Sequence, residues 1–255
     1  MEVKVLGSVS PYSKGNKNGV GYLVKEGNYK VLLDAGSGIT RLMNMDEDLD
    51  NLIIKISHLH ADHYEELFAL AYASFVMHNL GHLNNRIKVY LPKSDKIPVL
   101  KLLKNIENYM EFIIYDENDV IKHGEFIITS SINPHNVKSY STKIKSKNGI
   151  LVYSGDTGYK ENSLSSFAKD ADLFICESTF LKEQMKKEDY HLYAYEAGLI
   201  AKRANVNELM LTHFWPEIDK RRYVDEARKV FKNTIAAEEG KVYKIGGKYV
   251  NKNGC

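Results

Sequence analysis

Cysteine is nearly missing from these 255 residues: Cys176 and Cys255 are the two that occur. A disulfide framework and a four-cysteine zinc knuckle are both excluded. Proline occurs five times and tryptophan once, and no Pro/Gly/Ser-rich linker divides the chain. A dominant charge is lacking too. The 35 basic and 33 acidic residues leave a net charge of +2. That balance argues against a nucleic-acid coat or an acidic tail as the main theme. No window approaches 18 apolar residues, so no membrane span is expected. The opening MEVKVLGSVS has no charged n-region followed by an apolar h-region. It does not read as a secretory signal, and the expected location is the cytoplasm. An enzyme-sized globular chain remains, long enough to bury about 70% of its unfolded surface without staples. We take residues 1–255 as a single domain.

Hydrophobic patterning reads as strands, then strands alternating with helices, twice over. In the first half, strands are expected at Val3–Leu6, Gly19–Lys25, Tyr29–Asp34, Leu52–Ser57, Lys88–Leu91, Phe112–Tyr115 and Phe126–Ser131. Helices are expected at Ile39–Met45, Tyr64–Leu80 and Pro98–Tyr109, the second burying Leu67, Leu70, Ala71 and Ser74. The second half offers a hairpin, Tyr140–Lys145 with Ile150–Ser154, then strands Leu173–Glu177 and Glu208–Leu211. Helices are expected at Tyr193–Ala204 and Asp219–Lys232, and a last hairpin pairs Lys241–Ile245 with Tyr249–Val250 around Gly246-Gly247. Two loosely similar halves with a sheet-on-sheet core and helices outside follow from this order.

The chemistry concentrates in His58-Leu-His60-Ala-Asp62-His63, directly after the buried strand Leu52–Ser57. His58 and His60 are two apart, so an extended backbone puts them on one face. Asp62 and His63 fall at the turn into the next helix. Four ligands this close crowd one tetrahedral ion but suit two adjacent ions. Three more polar residues each end an apolar run: His135, Asp156 and His213. A side chain there emerges at one edge of a sheet.

This order of residues resembles the metallo-β-lactamase superfamily, and within it the ribonuclease Z-like branch of phosphodiesterases. The resemblance runs from the opening strands to Ala236-Ala-Glu-Glu-Gly240. Three segments carry the finer likeness: His135-Asn-Val-Lys-Ser-Tyr140, Cys176-Glu-Ser-Thr-Phe180, and the helix start at His191-Leu-Tyr193, where the family has Thr in place of Tyr193. The resemblance implies a four-layer αβ/βα sandwich, α/β in class, with two mixed sheets flanked by helices. It implies that His58, His60 and His135 hold one divalent metal ion. Asp62, His63 and His213 hold the second, and Asp156 bridges both. A donor set of five imidazoles and two carboxylates without thiolate suits zinc first, with manganese or iron as competitors. Family habit implies a homodimer.

Two such ions, two carboxylates and a bridging hydroxide leave a residual positive centre, which favours the transition state of a phosphodiester monoanion. Asp62 orients the hydroxide, and His191, at a helix start, is the candidate proton donor to the leaving alkoxide or a contact to a phosphoryl oxygen. Glu177 is read as an anchor for a ligand histidine, and Trp215-Pro216 as either a wall of the pocket or plain packing. Asp34 is expected to fix the Gly-rich loop in which Ser37 and Gly38 line the floor. His78 and His82 read as a helix end, His123 as solvated, and Cys176 as a small buried residue. Only 20 residues separate His135 from Asp156. The long arm with which ribonuclease Z grips transfer RNA lies in that interval, so here it is absent. Lys138, Lys143, Lys145 and Lys147 form a basic strip, which a solvated hairpin edge explains. A small phosphodiester or nucleotide, such as a cyclic nucleotide, is the expected substrate. RNA cleavage of the ribonuclease Z type, hydrolysis of a lactone, ester or thioester at the same metals, and a non-catalytic binding module are the alternatives.

Overall fold

The computed structural model describes residues 1–94, 97–160, 162–183 and 190–246. Its first half runs β1 (Glu2–Gly7), β2 (Gly21–Glu26), β3 (Tyr29–Leu33), α1 (Met45–Asp48), β4 (Leu52–Lys55) and α2 (Leu67–Asn79). Then come β5 (Ile87–Pro92), α3 (Ile97–Leu103) and β6 (Met110–Tyr115). The second half runs β7 (Ile121–His123), β8 (Phe126–Asn133), β9 (Ser139–Ser146), β10 (Gly149–Tyr153), α4 (Ser163–Phe167) and β11 (Leu173–Glu177). It ends with α5 (Ala194–Ala204), β12 (Glu208–Thr212), α6 (Lys220–Arg228), β13 (Thr234–Ala236) and β14 (Val242–Lys244).

Among the described residues the strands make two seven-stranded sheets, ordered β14-β1-β2-β3-β4-β5-β6 and β13-β12-β11-β10-β9-β8-β7. Each sheet is antiparallel through its first strands and parallel after them, the change falling at β3–β4 and at β10–β11. The similarity of the halves is therefore topological. It is completed by β14, which crosses back to pair with β1.

The alternation of side chains along each strand builds three apolar layers. Val3, Val5, Tyr22, Val24, Val31, Leu33 and Ile53 face inward and meet Ile128, Ile144, Leu151, Tyr153, Ile175 and Met210 of the other sheet. Their neighbours Leu6, Leu23, Leu32 and Ile54 face the opposite way and pack with Leu67, Leu70 and Ala71 of α2. Phe174, Cys176, Leu209 and Leu211 likewise meet Ala194, Ala197, Ile200 and Ala201 of α5 and Tyr223 and Ala227 of α6. Full burial of each large side chain stabilises by about 1.5–3 kcal/mol. This is the four-layer αβ/βα sandwich expected from the resemblance.

Several local expectations are corrected. The helix after the His-rich turn starts at Leu67, not Tyr64, because Ala61–His63 forms a 3-10 turn and Glu66 is the cap residue. Residues 39–42 are likewise a 3-10 turn, and α3 stops at Leu103. The short strands β7 and β13 and the short helix α4 had too few residues to show a period. The far arm of the last expected hairpin, Tyr249–Val250, lies outside the described residues. The lysine strip does not mark a sheet edge, since β9 pairs with β8 on one side and β10 on the other. Lys143 lies over the Phe167 ring, and Lys147 pairs with Glu125.

One inward position of β4 carries a charge. Lys55 is 1% exposed, its Nζ donates to Thr142 Oγ1 at 3.0 Å and lies 3.7 Å from the Tyr115 ring centre. Burial pulls its pKa down to about 7, although the charge of Asp34 opposes the shift. In the unfolded chain a lysine stays protonated up to about pH 10.4. The unfolded state thus holds the extra proton between these limits, so stability rises as pH climbs from about 7 to about 10. Lys55→Met is expected to flatten that rise and to raise the unfolding free energy at pH 6 by about 2–4 kcal/mol. Urea titrations across this pH range check it, and an unaltered slope would exonerate Lys55.

Candidate metal centre

The strands that end at the site all run the same way. β4, β10 and β12 are parallel members of their sheets, and β8, two antiparallel steps from β10, shares its direction. His58 and His60 follow β4, His135 follows β8, Asp156 follows β10 and His213 follows β12. Their side chains therefore gather at one edge of the sandwich. Close approach needs glycine twice. A Cβ on Gly36 would stand 2.5 Å from the Asp62 carbonyl oxygen, and one on Gly155 would stand 2.9 Å from Ser57 Cβ. His213 itself has φ 63, a left-handed conformation that costs a non-glycine residue energy and is concentrated at functional sites.

The donor atoms fall into two groups that share one residue. Donor atoms of His58, His60, His135 and Asp156 lie within 4.8 Å of one another, as do those of Asp62, His63 and His213. His58 Nε2 is 3.0 Å from His60 Nδ1 and 3.5 Å from Asp156 Oδ2. His135 Nε2 is 3.4 Å from His60 Nδ1. On the other side, His63 Nε2 is 3.4 Å and His213 Nε2 3.1 Å from Asp156 Oδ1. Asp62 Oδ2 stands 3.6 Å from His63 Nε2 and 3.9 Å from His213 Nε2. Asp156 thus gives one oxygen to each group. All seven side chains named from sequence are brought together.

The donor set fits divalent cations. His63 Nε2, His213 Nε2 and Asp156 Oδ1 are buried and have no hydrogen-bond partner. Three orphaned donors aimed at one another are costly unless a cation sits between them. The imidazoles are also fixed from behind. His58 Nδ1 is 3.0 Å from Ser57 Oγ, His63 Nδ1 2.8 Å from Asp34 Oδ2, His135 Nδ1 2.9 Å from the Tyr190 carbonyl and His213 Nδ1 2.8 Å from Thr179 Oγ1. Such partners leave the other ring nitrogen free to ligate.

Electrostatics point the same way. Burial lowers the pKa of His58 and brings that of His60 to about 4, helped by neighbouring imidazoles. Both stay neutral and ligand-ready. Burial also disfavours a charged His63, but Asp156, Asp62 and Asp34 outweigh it and hold its pKa well above the usual range. Asp156 is buried, which favours its neutral form, yet His213, His63 and His58 drive its pKa well down. The pocket therefore carries a surplus of carboxylate charge that demands a positive partner.

His191 stands beside the two groups. Its Nδ1 lies 2.9 Å from Glu177 Oε1 and 3.9 Å from Asp156 Oδ2. Burial opposes its charge, but the Glu177 carboxylate prevails and lifts its pKa to about 9. His191 is also within reach of Asp156 and His213 as a third possible ligand group. Its Nδ1 is held by Glu177, as the Nδ1 atoms of His58, His63 and His213 are held by their own partners. Glu177, 1% exposed, accepts from the backbone N–H groups of Thr157, Thr179 and Leu192 and from Thr179 Oγ1. It therefore anchors His191 directly and His213 through Thr179.

A cavity of about 340 Å³ opens over these residues, lined on the far side by Pro11, Phe180 and Trp215. Ser10 completes its rim and donates from Oγ to Asp62 Oδ2 at 2.6 Å. Of the two readings open for Trp215, pocket wall or plain packing, its place in the lining favours the wall. Ser37 and Gly38 are not its floor. The Gly38 N–H is taken by Glu66, and Ser37 Oγ accepts from Ser13 Oγ. Asp34 does not hold that loop either. It accepts from Ser57 N, Ser57 Oγ and Tyr153 Oη at 2.6–2.7 Å and holds His63. His78 closes a helix end on the Leu83 carbonyl, and Cys176 is buried. His123 is half-buried, bonded to the Asn51 carbonyl and set edge-on to Tyr29. Thr179, Ser10 and Phe180 were missed from sequence, where a hydroxyl or phenyl beside a motif has no signature of its own.

Two mixed sheets between helices, with a shared-carboxylate His/Asp cluster at one edge, define a metallo-β-lactamase-fold protein with a site suited to divalent metal. The chain belongs to the beta-lactamase superfamily domain family, whose pattern matches residues 29–214. It is 32% identical over 216 residues to the probable metallo-hydrolase YhfI of Bacillus subtilis, covering 84% of this chain and 86% of that one. The crystal structure of YhfI superposes with a TM-score of 0.86 over 95% of this chain and 98% of that one, at 28% identity. Ribonuclease Z of Chlamydia caviae is 26% identical over 298 residues, covering 95% and 96% of the two chains. Human tRNase Z, short form, shares the fold with a TM-score of 0.75 at 20% identity, over 97% of this chain and all of that one. Among the described residues no helix is long and apolar enough to cross a membrane.

Asp34→Ala would strand four donors at once, and each buried unmet donor costs about 1–3 kcal/mol. Urea unfolding is expected to show a loss of at least about 3 kcal/mol. A loss under about 1 kcal/mol would mean that water replaces the carboxylate.

Proposed function

We propose that this chain is a dinuclear metal-dependent phosphodiesterase acting on small phosphodiesters, its whole length forming one hydrolase domain. His58, His60 and His135 would hold one ion, Asp62, His63 and His213 the other, and Asp156 both. The observation that carries the reading is the split of Asp156, one oxygen 3.5 Å from His58 and the other 3.1 Å from His213. Zinc is the first choice for an N/O set without thiolate, with manganese and iron as rivals. When bound, two such ions supply Lewis acidity and a hydroxide at neutral pH.

The chain's own residues do the rest. Asp62, steadied by Ser10, accepts the hydrogen bond of the attacking water and fixes its direction. His191, kept protonated by Glu177, gives a proton to the leaving alkoxide from its remaining ring nitrogen, Nε2. Proton donation of this kind is worth about 10²–10⁴-fold. Thr179 keeps His213 and Glu177 in register. The interval between His135 and Asp156 is filled by β9 and β10, with no arm to grip a folded RNA. With a net charge of +2 as well, a small phosphodiester such as a cyclic nucleotide suits the chain better than an extended polyanion.

Purified protein is expected to hydrolyse bis-p-nitrophenyl phosphate and to leave a lactone panel largely untouched. Turnover of lactones alone would overturn the phosphodiester reading in favour of an acyl hydrolase at the same site. Elemental analysis is expected to find about two transition-metal ions per chain, and a His58→Ala/Asp156→Ala variant to lose metal and turnover together. His191→Ala is expected to keep its metal. Its kcat should fall about 10²–10⁴-fold on diesters with alkoxide leaving groups. With p-nitrophenolate, which departs unprotonated, the fall should be much smaller. Equal losses on both, or lost metal, would make His191 a ligand instead.

A further inference from the structure

The wall opposite the donor cluster has no part in the chemistry above. Phe180 and Trp215 meet edge to face, ring centres 5.5 Å apart and planes at 79°. Phe180 in turn stands edge-on to His191 at 6.0 Å, and His191 stacks on His213 at 5.3 Å and 24°. The aromatic wall and the reacting centre are therefore one contiguous surface. Neighbouring Phe214 is fully buried and bonds through its backbone to Ser8 and Ser10, whereas Phe180 and Trp215 are half-buried and line the cavity. Core packing uses the first; the other two border the cavity instead.

Both rings are firmly placed. Phe180 N donates to the Leu192 carbonyl and Phe180 O accepts from Ala194 N, tying the end of β11 to the start of α5. Trp215 O accepts from Ile218 N, and the Lys17 ammonium bonds the next carbonyl, that of Pro216. Placed rings lose little entropy when a flat partner arrives. The wall itself bears no formal charge, so it does not suit a second phosphate. A flat, polarisable, uncharged group joined to the phosphate through a short spacer fits it. A cavity near 340 Å³ lies within the range of small-molecule sites and is too small for a folded polymer.

Building on the phosphodiesterase reading, we propose that Phe180 and Trp215 form a stacking platform for the nucleobase of a nucleotide phosphodiester. The base lies against Trp215, the sugar spans the gap past Pro11, and the phosphate reaches the His/Asp cluster. Specificity for nucleosidyl over simple alkyl diesters is then set by the aromatic pair, and selection among bases is weak because every base has a π-face.

Trp215 is the single tryptophan of the chain, so tryptophan emission reports on this wall alone. AMP titrated into the protein is expected to quench that emission saturably, while ribose 5-phosphate, which lacks the base, does not. The kinetic counterpart compares thymidine 5′-p-nitrophenyl phosphate with methyl p-nitrophenyl phosphate, which share a leaving group. The ratio of their kcat/KM values should fall on the order of tenfold in Trp215→Ala and be retained in Trp215→Phe. Emission indifferent to AMP, or a ratio untouched by Trp215→Ala, would overturn the platform. If neither diester is hydrolysed, the reaction assignment fails and the quenching experiment still decides the stacking.

Discussion

Everything at the edge of this sandwich is arranged around one buried carboxylate. Asp156 is 2% exposed and cannot be neutralised by solvent. Asp62, Asp34 and Glu177 stand around it, the last two almost completely buried. Imidazoles alone do not balance this charge, because burial drives His58 and His60 toward the neutral form. In a medium of low dielectric an unpaired carboxylate is too costly to keep unless something cationic completes it. Bound divalent metal would answer that cost, and the orphaned Nε2 atoms of His63 and His213 are where it would do so. The same charge surplus would strengthen the hold on cations.

That arrangement is a consequence of topology. Each sheet switches from antiparallel to parallel pairing, and the parallel strands deliver their C-terminal ends to a common edge. One sheet brings His58, His60, Asp62 and His63 on a single turn. The other brings His135, Asp156 and His213 on three strand ends. Neither sheet holds a complete site, so the inward-facing layer of apolar side chains between the sheets is also what sets donor-to-donor distances. Lys55 and Asp34 interrupt that layer near the site. Asp34, in a left-handed conformation with φ 58, spends it on four donors that lock the first turn in place.

Much of this was legible before any coordinates. The strands of Val3–Leu6 and Leu173–Glu177 and the inward stripe Leu67, Leu70, Ala71 and Ser74 follow from period alone, and all four of those helix positions are buried. The donor residues were legible because four fall within one hexapeptide and three more each end an apolar run. Three-residue strands such as β7 and β13 carry no period to detect. The lysine strip misled because a hairpin's sequence does not say whether another strand flanks it. β8 does flank it, so Lys143 and Lys145 lie inside the sheet and not at its edge. The roles of Asp34 and Thr179 were hidden for a different reason. Each depends on which distant residue the fold sets against it, and nothing local encodes a partner 15 or 100 positions away.

Thr179 shows how much such a hidden residue controls. Its hydroxyl has one proton to give, and the geometry directs it to Glu177 Oε2 at 2.8 Å. It can then only accept from His213 Nδ1, also at 2.8 Å, which fixes that ring in the Nδ1-protonated tautomer and leaves Nε2 as a lone pair. Glu177, with Oε2 occupied, meets His191 through Oε1. One hydroxyl therefore ties the orientation of the His213 imidazole to the carboxylate that holds His191. A change that reverses the Thr179 proton would misplace the His213 lone pair and weaken the hold on His191 in the same stroke. On the proposed reading, metal affinity and proton donation would in this way be joined through one hydroxyl.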